Sequence, residues 1–464
     1  MTNTVSTNDT AILRSLHPDC TDWQTLGPST RDATIRAAAA AAESDKHKRT
    51  AQWSKGFNRR TFLKGGMGVG VATLGSQLVT SRVSYASADT PSTGALVVIF
   101  LRGGMDGLSL LVPDNDPYLL DKRPDIVARS SATHALIPME RGFGLHPSMK
   151  PLNGLIAQGK VAVVPAVSTP DLTRSHFQAQ DCLERGSSTS LTTGWLDRVL
   201  EVAGTGTTFR SVAVGGTLPR SLMGQSGSLA MYNLDSLRID VDDDEIGVTR
   251  DALETLYTGL DHPIEGQASL ALNALDTAKA IRDARPDVPA VTYPADSNFA
   301  DALSSLAELI KAGAGVRVAC IDVGGWDTHT GMGTVDDGDM KKQLDELASC
   351  LKAFTDDLGS DLDSTTIVTM SEFGRRVEQN ASGGTDHGHG GAVLVIGGGV
   401  SGGVKGRWDG LSEANLANDE GDVPGWNDYR DILTEVVTKR LDISQGAMAS
   451  VFPAWSPTLI GVMA

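Results

Sequence analysis

Between Thr366 and Gly399 the chain reads T-I-V-T-M-S-E-F-G-R-R-V-E-Q-N-A-S-G-G-T-D-H-G-H-G-G-A-V-L-V-I-G-G-G. Glu372, Asp386, His387 and His389 fall inside this stretch. Carboxylate oxygens and imidazole nitrogens concentrated in this way are the donors a divalent ion requires, and the glycines around them permit close approach. Further donors stand at Asp106, in Arg102-Gly103-Gly104-Met105-Asp106-Gly107, and at Asp327 and His329, in Gly324-Gly325-Trp326-Asp327-Thr328-His329. Thr173-Arg174-Ser175-His176-Phe177 offers a different chemistry. Ser175 precedes a helix expected over Phe177 to Leu183, where amide donors and the positive end of the helix dipole lie beside its hydroxyl. There the serine either caps the helix or serves as a stabilised alkoxide toward an anionic group. His176, about 100° around such a helix from its neighbour, is expected to support or ligate rather than act as a base. Thr173 is the alternative hydroxyl in that loop.

Apolar, β-branched runs bounded by glycine must carry these residues. Leu96 to Leu101, Val161 to Val167, Ser211 to Val214, Val316 to Val323, Thr366 to Met370 and Ala392 to Ile396 read as buried strands of a parallel sheet. Leu344, Leu347, Leu351, Phe354 and Leu358 repeat at three and four residues, a helical stripe. Further helices are expected over Leu270 to Ala284, Ala302 to Ala312 and Tyr429 to Leu441. Alternating strands and helices predict an α/β fold, a doubly wound, mostly parallel sheet flanked by helices. Asp106, Asp327 with His329, and Glu372 then fall just past strand C-termini, the edge where open α/β sheets bind ligands. Asp386, His387 and His389 precede a strand instead, but their loop leaves from that same edge and can fold back over it. Residues 401–426 read as a long loop and 217–262 as an irregular cap or insertion. No Ser/Pro-rich linker interrupts residues 89–464, which are expected to form one domain.

Residues 1–88 form a long leader. Asn58-Arg59-Arg60-Thr61-Phe62-Leu63-Lys64 fits a twin-arginine export motif, followed by a glycine-rich apolar run and Ala86-Ser87-Ala88, with cleavage expected between Ala88 and Asp89. That run is too short and glycine-rich to act as a transmembrane anchor. The implied location is periplasmic or secreted, with the twin-arginine translocase as export partner. The whole chain has a formal net charge of −17. The leader holds 11 of its 40 basic and 6 of its 57 acidic residues, so the remainder stands at −22. An acidic body of this kind repels phosphate backbones and excludes nucleic acid as a partner. Cys182, Cys320 and Cys350 remain after the leader. They cannot all pair, and without a C-x-x-C they indicate neither a disulfide scaffold nor a thiolate zinc site.

Taken together, I-F-L-R-G-G-M-D-G-L-S, S-H-F-x-A-Q-D, G-W-L-D-R (194–198), G-G-W-D-T-H, M-S-E-F-G-R-R and G-T-D-H-G-H-G-G resemble domain-of-unknown-function family 1501, twin-arginine-exported proteins placed in the alkaline phosphatase-like superfamily. The resemblance covers about residues 94 to 460. It implies a two-metal hydrolase fold in which Asp106 is similar to a first metal ligand and Ser175 sits where a nucleophile opens a helix. Ile321-Asp322 through His329 looks like the strand whose Asp-x-x-x-His binds metal. Trp326 stands four residues after Asp322 in place of His, so Asp327 and His329 are expected to take over. Met370-Ser371-Glu372-Phe373-Gly374 resembles a strand ending Ser-Asp-His-Gly, with Glu for Asp and Phe for His. His387 or His389 is expected to restore the lost imidazole. The cofactor implied is one or two divalent ions, with zinc, manganese and calcium all open.

The function this implies is exported, metal-dependent hydrolysis of a small phosphate or sulfate ester, with Arg102 or Arg174 neutralising the anion. A non-catalytic envelope-assembly or metal-binding protein on the same fold is the alternative, consistent with the broken ligand patterns. An oxidoreductase is the weakest reading, since Gly103-Gly104-Met105-Asp106 lacks G-x-G-x-x-G.

Overall fold

A computed structural model describes residues 94–464 apart from 242–244, 258–263 and 417–420. The twin-arginine motif, the Ala86-Ser87-Ala88 site and Asp89 lie outside the described residues. The strands are β1 (Ala95–Leu101), β2 (Leu111–Pro113), β3 (Ile137–Pro138), β4 (Phe143–Leu145), β5 (Val161–Ser168), β6 (Ser211–Val214), β7 (Leu229–Met231), β8 (Val318–Val323), β9 (Thr365–Met370), β10 (Arg375–Gln379), β11 (Thr385–His387), β12 (Gly391–Gly397), β13 (Gly403–Val404) and β14 (Asn427–Asp428). Nine form one sheet in the order β13-β5-β12-β9-β1-β8-β6-β7, with β14 also on β5.

Every residue of β1 is buried, as a strand covered on both faces requires. Successive side chains point to opposite faces. Val97, Ile99 and Leu101 therefore join Leu303, Leu306, Leu344 and Leu351 in one core, while Leu96, Val98 and Phe100 join Leu196, Val199, Ile432 and Val436 in the other. Helices Asn298–Lys311 and Asp339–Leu358 thus cover one face, and Trp195–Val202 and Tyr429–Arg440 the other. Among the described residues no helix is long and apolar enough to cross a membrane.

The β8, β1 and β9 ladders are parallel, in register Val98↔Cys320 and Val98↔Val368, as the apolar runs predict. One strand departs from the expectation. β12 runs antiparallel to both β9 and β5. The reason is the connection: the segment expected to be a polar loop is the antiparallel hairpin β10–β11, pairing Arg375 with His387. A parallel return needs a crossover to the starting end of the sheet. This hairpin stays at the edge where β9 ends, so β12 must enter from that edge.

Candidate metal centre

Four elements deliver side chains to that edge. Helix His176–Arg185 supplies His176 from its first position, the segment after β8 supplies Asp327 and His329, the turn after β9 supplies Glu372, and β11 ends in Asp386 and His387. Close backbone contact is obligatory here. A Cβ on Gly388 would lie 2.4 Å from the Arg375 carbonyl carbon, and Gly103, at φ +125°, would place one 2.5 Å from the Asp327 nitrogen. Only glycine allows the hairpin to seat and the loops after β1 and β8 to cross.

Ligand atoms of His176, Asp327 and His387 lie within 4.8 Å of one another. His387 Nε2 is 3.2 Å from Asp327 Oδ1, and His176 Nε2 is 3.5 Å from Asp327 Oδ2. His329 Nε2 stands 3.1 Å from Asp327 Oδ1 and 2.9 Å from His387 Nε2. Behind each ring, Nδ1 faces an acceptor. For His176 it is Glu372 Oε1 at 2.7 Å, for His329 it is Asp386 Oδ1 at 3.2 Å, and for His387 it is the Arg174 carbonyl at 2.9 Å. Such partners place the proton on Nδ1 and leave a lone pair on Nε2, the arrangement that orients metal-ligating histidines. Two lone pairs then face each other across the 2.9 Å between His329 and His387, a contact that a shared cation relieves. His176 Nε2 is buried and has no hydrogen-bond partner among the described residues, which in a polar cluster marks a missing partner. The donor set therefore fits a divalent ion.

The supporting electrostatics agree. Burial pushes the Glu372 carboxyl up, but hydrogen bonds from His176, Gln180 and the Gly103 amide outweigh it and bring it down to about 2. An ionised Glu372 is what the His176 Nδ1–H requires. Burial likewise opposes ionisation of Asp327, and the Arg375 guanidinium, 2.5 Å away, holds it below the usual carboxylate range. His387 is pushed down by burial and by Arg375, against Asp327. Asp386 is lowered, chiefly by the Asn380 amide.

Three expected ligands are engaged elsewhere. Asp106 is buried in a bidentate pair with Arg123 (2.6 and 2.9 Å) and accepts from the Ser109 amide. Asp322 accepts from Arg102, which also binds Glu184 at 2.6 Å. His389 turns toward the Gly425 backbone, with burial lowering its basicity and Asp422 opposing. Glu372 and Asp386 stand behind the imidazoles as acceptors. Ser175 occupies the N-cap position of helix His176–Arg185 and is exposed, yet its side chain makes no capping bond.

Residues 94–421 match the family model described as "Protein of unknown function (DUF1501)". The chain belongs to the DUF1501 family. Among solved structures, this DUF1501 chain is similar to an alkaline phosphatase from the Antarctic bacterium TAB5, at 9% identity over 68% of this chain and 95% of that one, TM-score 0.25. It is also similar to a sulfatase from Pseudoalteromonas sp., at 12% identity over 75% of this chain and 68% of that one, TM-score 0.30. Likeness at that level carries no argument about activity. Among curated proteins none matches by sequence.

The DUF1501 motifs also hold residues that support the cluster without offering it a ligand atom. Phe373 is buried and lies against the rings of both His176 and His387, at 4.9 and 4.8 Å between centroids. It replaces an expected imidazole with a wall that fixes two others. Arg375 is fully buried and donates to the carbonyls of Gly103, Gly104 and Thr385 as well as to Asp327. Gln180 donates to Glu372 at 3.0 Å. The signal for Gln180 is its spacing, since His176 and Gln180 are four apart and share one helix face.

Proposed function

We propose that this DUF1501 protein is an exported, metal-dependent hydrolase of phosphate or sulfate esters, with the Ser175 hydroxyl as nucleophile. The observation that carries the reading is the convergence of the Nε2 atoms of His176, His329 and His387 on Asp327, with Ser175, next to His176 in the chain, not using its hydroxyl as a cap. Three imidazoles and one carboxylate suit a borderline ion such as zinc better than calcium, which takes six to eight oxygens. A bound ion would polarise an ester oxygen and favour ionisation of Ser175. The amides opening helix His176–Arg185 favour the same anion. Ser175 Oγ then bonds to phosphorus or sulfur, the bond to the alcohol oxygen breaks, and the alcohol departs with a proton. Water cleaves the seryl ester in turn, releasing phosphate or sulfate.

The second reading is a non-catalytic metal-binding protein. It is favoured by Arg102 and Arg174, the expected anion-binding cations, each being paired with carboxylates. The deciding experiment is an ester screen on the metal-loaded mature protein and its Ser175→Ala variant, with metal content measured in both. Turnover falling by at least about 10³-fold with metal retained supports the nucleophile. Unchanged turnover removes Ser175 from the chemistry, and no turnover in the unaltered protein transfers the case to the second reading.

A further inference from the structure

A second serine and a further histidine meet at the same sheet edge, brought there by strand register. β5 is buried along its whole length and ends in Ser168. On one side β12 pairs Gly391 with Val167 in the antiparallel sense, which sets His389 against the end of β5. On the other side β14 pairs Asp428 with Ser168, which brings in the turn at Gly425. A Cβ on Gly425 would lie 1.8 Å from Ser168 Oγ and 2.9 Å from His389 Nε2. Both being that close to one point, the hydroxyl and the ring nitrogen are at most 4.7 Å apart, the sum of the two distances. Any side chain at 425 would collide with the hydroxyl, so glycine is obligatory there. Gly425 is itself exposed, so the pair borders solvent. Among the described residues neither the Ser168 hydroxyl nor the His389 ring has a hydrogen-bond partner. By contrast, His176, His329 and His387 each have an acceptor behind Nδ1. A serine at a strand end and a half-buried histidine are each ordinary. Two strand pairings and an obligatory glycine converging on one hydroxyl and one imidazole are not.

We propose that Ser168 and His389 form a second site, a serine–imidazole pair that hydrolyses carboxylic esters. His389 takes the hydroxyl proton of Ser168 as Oγ bonds to the ester carbonyl carbon. That proton passes to the alcohol oxygen as the acyl–oxygen bond breaks, leaving an acyl-serine. Water then bonds to the same carbonyl carbon and gives its proton to His389. The acid departs as Ser168 Oγ recovers a proton from the ring. Spacing looser than a hydrogen bond before substrate arrives is usual for such pairs. The substrate class follows from the groups present. A phosphate or sulfate monoester is anionic and calls for a cation at the nucleophile, whereas a carbonyl carbon is neutral and needs only a base beside the hydroxyl. Among the described residues the ligand atoms able to gather an ion belong to His176, Asp327 and His387, not to this pair. The second site therefore stands independently of the ester site proposed at Ser175.

The test uses a fluorophosphonate, which bonds to activated serine hydroxyls with loss of fluoride, on the purified protein with chelator present. Peptide mass spectrometry should place the label on Ser168. Labelling should slow by at least about 100-fold in Ser168→Ala and in His389→Gln. Hydrolysis of p-nitrophenyl acetate by the chelated protein should fall by a similar factor in both variants. Metal uptake on reloading reports that each variant is folded. Label on Ser175 or elsewhere, no label, a rate indifferent to His389→Gln, or ester hydrolysis that survives Ser168→Ala overturns the proposal. None of these outcomes touches the metal-dependent reading at Ser175, which is scored with metal bound. Should a variant fail to take up metal, Ser168→Cys decides. Its new thiol should react with iodoacetamide faster than free cysteine and ahead of the buried Cys182, Cys320 and Cys350; a thiol no faster than free cysteine overturns the proposal.

Discussion

Replacing Asp106 decides whether that carboxylate holds metal or holds the fold. Both of its oxygens are taken by Arg123, and one also receives the Ser109 amide at the start of helix Gly107–Leu110. Both partners of the ion pair are 1% exposed. Burial opposes ionisation of Asp106, and Arg123 reverses that and holds its carboxyl low. Arg123 also donates to the Val377 and Arg376 carbonyls, so the pair ties the loop after β1 to β10 beneath the cluster. Asp106→Asn keeps the shape and the capping oxygen while leaving a buried guanidinium uncompensated. Breaking such a pair costs about 3–5 kcal/mol, against which loss of a cap alone would count for about 1 kcal/mol. Urea unfolding at pH 7 should show that loss, equally with and without chelator, while metal content at saturation stays unchanged. Asp106→Leu/Arg123→Met should recover much of it, giving a coupling energy of the order of the pair itself. If Asp106→Asn lost its metal while its chelated form unfolded like the unaltered chain, Asp106 would be a ligand and the ion-pair argument would fail.

Glu372→Gln removes the charge that receives His176 Nδ1–H, and metal affinity measured by competition with a chelator should fall about 10–100-fold; unchanged affinity would dismiss Glu372 as an orienting partner. His146 is buried, accepts from the Ser148 amide and has its pKa lowered to about 4, chiefly by burial. Its folded value lies below an unfolded value of about 6.5, so the stability it carries is full above that value and drains as pH falls toward 4, by about 3 kcal/mol in all. His146→Gln should flatten the urea midpoint against pH across that window, and an unaltered slope would contradict the assignment. Replacing Arg59 and Arg60 with lysine should retain a full-length precursor in the cytoplasm, as read by cell fractionation, whereas normal export would refute the twin-arginine reading.

Six of the strands were legible because runs such as Leu96 to Leu101 and Val161 to Val167 have no place but a sheet covered on both faces, whereas β7 and β13 fall in the segments 217–262 and 401–426 expected to be irregular or loop. The edge holding the cluster was legible for a similar reason, since Asp327, His329 and Glu372 each follow such a run. Direction was not. The apolar residues Ala392 to Ile396 carry no mark of orientation, and what sets it is the backbone pairing of Arg375 with His387, between two polar residues with no periodic signal. Nor does residue type reveal the difference between a ligand and its support. Asp106 and Asp327 are both carboxylates past a strand end, and they part company because Arg123 reaches the first with two nitrogens while Arg375 leaves Oδ2 of the second facing His176.

That last contrast explains why the centre is held by histidines rather than carboxylates. A buried carboxylate at this edge must be compensated before any ion arrives. Asp106 is compensated by Arg123, and Glu372 by an imidazole, an amide side chain and a backbone amide, while the exposed Asp322 is taken by Arg102. The residue that stays available is Asp327, whose side chain is 48% exposed and needs only one guanidinium contact. Neutral imidazoles carry no such burial penalty, because a ring with its Nδ1 proton donated inward offers a lone pair without a charge. Phe373, standing where an imidazole was expected, contributes by packing against His176 and His387 instead of ligating. The charge of the cluster before binding is that of Asp327, Glu372 and Asp386, offset by Arg375. A divalent ion entering it brings that net charge close to neutral, the compensation that a set of partly buried carboxylates requires.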